Sequence, residues 1–583
     1  LNILGIHDGH SASAALIQEG KVVAAVQEER LTRHKNQGGF PENAIAEVLK
    51  IGGLTLQDLH AIAFSGLGKT NVKTREDIMK NFLRKIELPK KSPLSQAGKF
   101  LGSISLAETR KQLRLKRKQK ERMNPLLEMD FPKKKISFLD HHLCHASAAY
   151  YGLGNMTDEI LVLTVDAAGD SICATVSIGK NGVLKQLAAV PSSESAAILY
   201  SLITFLLGFV PLEHEYKLMG LAPYAEGSEK TRDVYAYFKS LFRFTPSLPL
   251  GWERNEGVED TFRIGPELKK FIEYKRFDHL AGGLQLFIED FFLHWIRRVI
   301  KETGVKKLAL SGGLFMNVKL NKLVMELSEV DSIYVFPSCG DETNSIGAAW
   351  ARYAEILQEK EAPITIPPLG HFYLGDSFTD SETQEILSAF HFKKNVRITE
   401  HKDIEKRCAE LLAEGKVVAR CKGRMEFGAR ALGNRSILSN PNHWGAVKII
   451  NEMIKMRDFW MPFAPSILAE YSDDYIVNPK KIQAPYMILA FDTKPGKLDK
   501  IIAATHPYDE SCRPQLVDKA WNPDYHRLIS YFKELTGEAA VLNTSFNLHG
   551  LPIVYKPAEA LYVFDNSGLE RLALGNLLIE EVK

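Results

Sequence analysis

The sequence predicts an α/β protein whose N-terminal part is built twice from one motif and whose C-terminal part is a second α/β unit. Three observations carry this. The opening NILGIHDGHSASAALIQEGKVVAAVQEERLTR reads as three short apolar strands separated by a polar turn and a Glu-Gly turn, and EILVLTVDAAGDSICATVSIGKNGVLKQLAAVP returns the same arrangement. In each copy an apolar strand runs into an acid, Asp8 or Asp166, followed closely by glycine. Downstream, strands alternate with helices, and clustered prolines and glycines in EAPITIPPLGHFYLGDSF mark a domain edge. With 583 residues, more than one core organises, the division falls at 1–365 and 366–583.

Each hairpin turn lets backbone N–H groups approach phosphate oxygens while its acid holds a cation. Between the two copies, residues 71–135 look inserted and strongly basic, with RKQLRLKRKQKER at 110–122. The segment lacks interleaved aromatics for stacking bases, so it reads as a solvent-exposed helix decorating the first domain rather than a nucleic-acid arm. Next comes DHHLCHASAAYY. Four residues apart on a helix, His141 and His145 point the same way, and Asp166 and Asp341, each ending an apolar strand, complete a metal shell. His142, three residues before His145, is a competing partner. Mixed ligation with open positions suits iron, manganese or zinc, and spacing does not choose among them.

His10 stands two residues beyond Asp8. As a neutral imidazole it is suited to take a proton from an attacking hydroxyl, while His7, ending the strand, packs or orients. EHEYKLMGLAPY sets Lys217 to meet a phosphate, and the Gly312-Gly313 turn of VKKLALSGGLFMN admits a flat ligand such as a purine. Two hairpin-plus-acid turns facing such a turn are how actin-like and sugar-kinase-like folds clamp ATP. Gly169, Gly312, Gly313 and Asn317 therefore join Lys217 as nucleotide contacts.

In the second domain Arg420, Lys422, Arg424, Arg430 and Arg435 alternate with Gly423, Gly428 and Gly433, a loop that can wrap an anion. Lys455 and Arg457 follow. Arg513 stands in THPYDESCRPQLV, and Asn543, Ser545 and Asn547 either meet a ligand's amide or nucleobase edge or only build their turn.

Composition narrows the function classes. A hydrophobic fraction of 45% and a charged fraction of 25% are those of an ordinary soluble globular protein. No apolar run approaches the roughly 20 residues that span a bilayer, and LNILGIHDGH lacks the basic region of a signal peptide, so no membrane role and a cytoplasmic location are expected. The six dispersed cysteines form no CxxC pair, which argues for reduced thiols. A net charge of +3 is too mild to argue nucleic-acid binding.

HDGHSASAAL, HHLCHASAAYY, YKLMGLAPY, LSGGLFMN, CGDETNSIGAA, GRMEFGARALGNRSIL and LNTSFNLHGLPIV occur in one order along nearly the whole chain. With these motifs the sequence resembles the O-carbamoyltransferase family of nodulation-factor and antibiotic biosynthesis. The resemblance implies a Kae1-like, actin-like (ASKHA) N-terminal domain and a YrdC-like C-terminal domain. The latter would convert carbamoyl phosphate and ATP, with Mg, to carbamoyladenylate. The former would pass the carbamoyl group to a hydroxyl of a small-molecule natural-product acceptor. It also implies iron held by His141, His145, Asp166 and Asp341, an acceptor-activating His10 with Asp8 beside it, and anion binding by Arg430, Lys455 and Arg513.

One position departs from the family pattern. Where the family reads RPFAPS, this chain has Met461 followed by PFAPS. Losing a charge-assisted bond to phosphate costs about 1.5–3 kcal/mol, unless Arg457 substitutes. The alternative reading is a tRNA threonylcarbamoylation-type RNA-modifying protein whose basic arm grips tRNA.

Overall fold

The computed structural model describes residues 1–68, 72–87, 104–455 and 458–582. It is a mixed α/β structure of two compact units. The first comprises Leu1–Val23, Asn36–Met316 and Tyr334–Pro368, and the second Ala24–Lys35, Asn317–Ile333 and Leu369–Lys583.

Two five-stranded sheets organise the first unit, which takes residues 21–23 and 334–335 of their edge strands. One runs Lys21–Gln27, Ser13–Gln18, Asn2–His7, Ala61–Ser65, Ile136–Leu139. The other runs Val183–Pro191, Ile172–Lys180, Ile160–Gly169, Lys307–Ser311, Ser332–Val335. In both, the first strand of the repeat lies antiparallel to the second and parallel to the fourth. The duplication legible in the hairpins therefore extends to whole-sheet topology. The runs ILGI and ILVLTV are buried along their length, as strands covered on both faces must be.

Two helices set the site. His141–Leu153 starts where the Asp140 side chain accepts the Leu143 N–H at 3.0 Å. Asn344–Glu359 lies directly against it and against the first strand. A Cβ at Gly347 would stand 1.9 Å from the Cys144 carbonyl oxygen, and one at Gly5 1.8 Å from that of Ser345. Glycine at both crossings fixes how closely the start of Asn344–Glu359 can approach.

The basic segment forms the helix Ile104–Glu128. Arg114, Lys116, Arg117, Lys118 and Lys120 are exposed, as the sequence suggests, but Arg122, Met123 and Leu126 are buried. All six cysteines are buried free thiols. No described helix is long and apolar enough to cross a membrane.

The second unit is organised by an eight-stranded sheet in the order Val396–Glu400, Leu577–Glu581, Arg571–Leu574, Val418–Cys421, Arg435–Ser439, Ala540–Ser545, Ala464–Leu468, Gln515–Val517. Its core includes Ile437, Leu542, Phe546, Val554, Phe564 and Leu572. The excursions 24–35 and 317–333 join it through backbone and amide bonds. Ala25 N–H donates to Leu374 O at 3.1 Å and Asn321 Nδ2 to Ile488 O at 2.8 Å.

Candidate metal centre

One helical turn separates His141 from His145, and both imidazoles leave the helix on the same side. Asp166 ends the apolar run ILVLTV, where the pairing with Ile172–Lys180 shifts register between Val165 and Gly169. Such an irregularity re-aims side chains, and here the carboxylate turns to the histidines. Asp341 opens the short turn Asp341–Thr343 ahead of Asn344–Glu359.

These four side chains meet. His141 Nε2 lies 3.3 Å from Asp166 Oδ2 and 3.4 Å from Asp341 Oδ1, and His145 Nε2 lies 3.3 Å from each of the same oxygens. The two Nε2 atoms are 3.2 Å apart. All four donor atoms fall within 4.8 Å of one another, and two imidazoles with two carboxylates make a donor set for a divalent transition ion. The residues fit the metal that the resemblance implies.

The surroundings orient the ligands. Ser311 Oγ is 3.2 Å from His145 Nδ1, the ring nitrogen that faces away from the quartet. A Cβ at Gly169 would stand 2.1 Å from the His141 ring, so this glycine makes room for a ligand. His142, the competing partner, points away. Its Nδ1 is 2.8 Å from Thr164 Oγ1 and its Nε2 3.1 Å from Ile172 O, and burial lowers it to about 3.

Charge in the quartet is balanced. Burial works against protonation of His141, but Asp341 and Asp166 outweigh it and push His141 up to about 9. His145 is raised the same way, against burial, by hydrogen bonds to Asp166 and Asp341. Burial opposes ionisation of both acids. The histidines nevertheless hold Asp166 below the usual carboxylate range and Asp341 well below it.

Asp341 also faces outward. Its Oδ2 is 3.5 Å from His10 Nδ1 and 3.9 Å from His7 Nε2, so one carboxylate touches both the metal ligands and the proposed base. His7 is lowered to about 4 by burial. Its Nε2 donates to His10 O at 3.1 Å, which leaves Nδ1 to accept from the Ser65 hydroxyl at 2.7 Å. His7 thus orients the turn. Asp8, read from sequence as catalytic beside His10, has both oxygens taken by Arg122, at 2.8 and 2.7 Å, and is the anion of an ion pair. The sequence reading missed Arg122. The signal was the change from basic to apolar at Met123 and Leu126, which marks where that helix goes inward.

Of the residues the sequence suggests as nucleotide contacts, Gly312 and Gly313 lie beside the quartet. Gly312 has φ 102°, and its Cβ would meet Val165 O at 2.3 Å; a Cβ on Gly313 would stand 3.0 Å from Asp166 Oδ1. Lys217 holds its ammonium 5.1 Å above the Phe209 ring. Asn317 caps the helix Val318–Glu326, accepting the Leu320 N–H at 3.1 Å.

In the second unit most of the basic loop holds itself together. Arg420 donates to Gly433 O and Asn434 Oδ1, both at 2.9 Å, Lys422 pairs with Glu405 at 2.8 Å, Arg424 donates to Gly375 O at 2.9 Å, and Arg435 donates to Tyr555 O at 2.8 Å. These four cations each hold a carbonyl or carboxylate of the protein itself. The loop that carries Arg430 is closed by Glu426, which accepts the N–H groups of Leu432 and Arg435.

Asn543 is buried and donates to Ala431 O at 3.1 Å and Ser466 Oγ at 3.0 Å. Ser545 donates to Asn547 Oδ1 at 2.7 Å, and Asn547 to Leu548 O and Leu551 O, so this pair builds its turn. Arg513 is half-buried beside the short strand Ser511–Cys512. Met461 is buried, 8% exposed. Arg457 and the side chain of Lys455 lie outside the described residues.

Two family models match the chain. Residues 2–350 match the family model described as Carbamoyltransferase N-terminus, and residues 409–581 match Carbamoyltransferase C-terminus. Nodulation protein NolNO of Sinorhizobium fredii is 32% identical over 98% of this chain and 79% of its own length. The uncharacterized protein MJ1051 of Methanocaldococcus jannaschii is 31% identical over all of both chains. The 3'-hydroxymethylcephem-O-carbamoyltransferase of Amycolatopsis lactamdurans is 29% identical over 62% of this chain and 64% of its own.

Proposed function

The chain belongs to the carbamoyltransferase family and is an enzyme of carbamoyl-group transfer, and from that premise we propose that it makes carbamoyladenylate from carbamoyl phosphate and ATP, a water being consumed and phosphate and pyrophosphate released, and delivers the carbamoyl group to a hydroxyl of a small-molecule acceptor. The observation that carries this reading is Asp341, whose two oxygens address the histidine pair on one side and His10 on the other. The acceptor is a natural-product alcohol in this reading, after the printed names of the nodulation and cephem relatives.

The first unit is the transfer domain, and its twice-built sheet order supports an actin-like, Kae1-like assignment. The second is a YrdC-like domain that forms the adenylate, with Mg accompanying ATP and Arg430 and Arg513 meeting its anionic groups. The protein works in the cytoplasm without a nucleic-acid partner. His141, His145, Asp166 and Asp341 would hold iron, which would supply Lewis acidity toward an anionic oxygen.

The chain's own residues do the rest. His10 Nδ1 faces Asp341 Oδ2, so the imidazole proton sits there and Nε2 is the base. The acceptor oxygen attacks the carbamoyl carbon while its proton passes to His10 Nε2. The new O–C bond forms, the bond from carbon to phosphate oxygen breaks, and AMP leaves with the electron pair. Gly312 and Gly313 let the nucleotide approach Asp166 closely.

The test is incubation with carbamoyl phosphate and ATP, followed by mass spectrometry. Carbamoyladenylate and AMP are expected. If wild-type enzyme yields neither, the adenylate route is wrong.

A further inference from the structure

The basic helix Ile104–Glu128 carries most of its charge on an exposed face, yet its Arg122 side chain is 1% exposed and ends among catalytic turns. The guanidinium makes five bonds. Nε and Nη2 hold the two Asp8 oxygens at 2.8 and 2.7 Å. Nη2 also donates to Ser65 O at 2.8 Å, and Nη1 to Gly66 O at 2.6 Å and Gly68 O at 2.8 Å. Its carbon lies 5.0 and 4.8 Å from the Phe64 and Phe138 rings. A planar fork of five donors suits this arrangement, and an ammonium does not.

The amides of the same turn face the opposite way. Leu67 N–H donates to Asp170 Oδ2 at 2.8 Å and Gly68 N–H to Asp170 Oδ1 at 3.1 Å. Asp170 Oδ2 also accepts the N–H of His141 at 3.0 Å, the first residue of the ligand helix. The left-handed backbone at Asp170 (φ 48°) and Ser171 (φ 74°) turns that carboxylate back toward Leu67. Ser65, whose carbonyl binds Arg122, gives its hydroxyl to His7, and His7 in turn donates to His10 O.

We propose that Arg122 and Asp170 clamp the Ser65–Gly68 turn from its two sides and are positioning residues, Arg122 for the turn that carries His10 and Asp170 for the metal ligand His141. The inserted helix is then part of the catalytic apparatus of the first unit. This rests on the quartet being a metal site, but the clamp itself has a readout without metal.

The experiment compares wild type, R122Q, R122K, D170N and R122Q/D170N. Folding of each is checked by circular dichroism, Mn²⁺ affinity is measured by calorimetry, and amide exchange is followed in peptides 61–68 and 139–145. A partner behind a ligand typically accounts for about 10–100-fold in metal affinity, and that loss is expected for D170N, while R122Q, which reaches His141 only through the shared turn and Asp170, should lose more than about threefold. The double variant should lose no more than about threefold beyond the weaker single, because both residues act through one turn. R122K should fall with R122Q, and both peptides should exchange faster in every variant.

The clamp is overturned if either folded single variant binds Mn²⁺ within threefold of wild type, if R122K restores full affinity, or if the losses multiply in the double variant. Should R122Q not fold, R122K and D170N decide. Should wild type take up no Mn²⁺, the metal reading fails and the exchange data judge the clamp, with unchanged protection in both peptides overturning it.

Discussion

Raising the pH should strengthen metal binding and release protons, by amounts the quartet's geometry sets. Without metal, His141 is pushed up to about 9, burial being outweighed by Asp341 and Asp166. A metal ligand must be the neutral imidazole. At pH 7, about two units below that value, only ~1% of His141 is neutral, a handicap of ~100-fold or ~2.7 kcal/mol on apparent affinity. One pH unit higher should recover at least ~10-fold, the His141 share of that gain levelling off near pH 9. His145 is raised as well, so between one and two protons leave per ion at pH 7. Calorimetry of Mn²⁺ binding at pH 7 and 8, repeated in two buffers of different ionisation enthalpy, reads both quantities. Affinity that is flat between pH 7 and 8, or release of less than half a proton, would refute the charge assignment. The folding consequence runs the other way. His141 is raised above its unfolded value of 6.5, so its stabilisation of the metal-free protein is fully present below pH 6.5 and lost as pH rises through about 9.

Three further outcomes are expected. His10→Asn should slow carbamoyl transfer by ~10²–10⁴-fold while metal content, measured by elemental analysis, stays at the wild-type level. Gly169→Ala should lower Mn²⁺ affinity, because the added Cβ falls 2.1 Å from the His141 ring; unaltered affinity in calorimetry would show that the ring can move aside. Glu405→Gln removes the anion that faces Arg420, with the two side chains 1% and 2% exposed, and should lower stability by ~3–5 kcal/mol in urea denaturation.

What was legible in the sequence follows from locality. His141 and His145 share a helix turn, and Asp166 closes the apolar run ILVLTV while Asp341 follows the run SIYVF within six residues, so helical period and the ends of apolar runs were enough to draw the quartet together. The duplication was legible because each copy repeats strand, acid, glycine and hairpin within about thirty residues. The role of Asp8 was not, because its partner lies 114 residues away on a helix whose composition announces solvent. The basic loop of the second unit misled for a related reason. Arg420, Lys422, Arg424 and Arg435 look like anion ligands in a string, but a glycine-rich loop leaves carbonyls that need donors: Arg420 serves Gly433 O and Arg435 serves Gly423 O, while Arg424 turns to Gly375 O and Lys422 to Glu405.

The two repeats meet one electrostatic problem differently. Asp8 and Asp166 follow equivalent strands, and each carboxylate is largely withdrawn from water, with side-chain exposures of 11% and 16%. An unpaired carboxylate there would cost several kcal/mol, so each needs a cation. The first repeat draws a guanidinium from the inserted helix, which never dissociates and therefore fixes geometry. The second is faced by two imidazoles whose protons a metal can displace, which makes its cation exchangeable. That difference lets a single duplicated motif provide a rigid turn for His10 on one side and an ion site on the other, with Asp341 in contact with both His10 and the ion-site histidines.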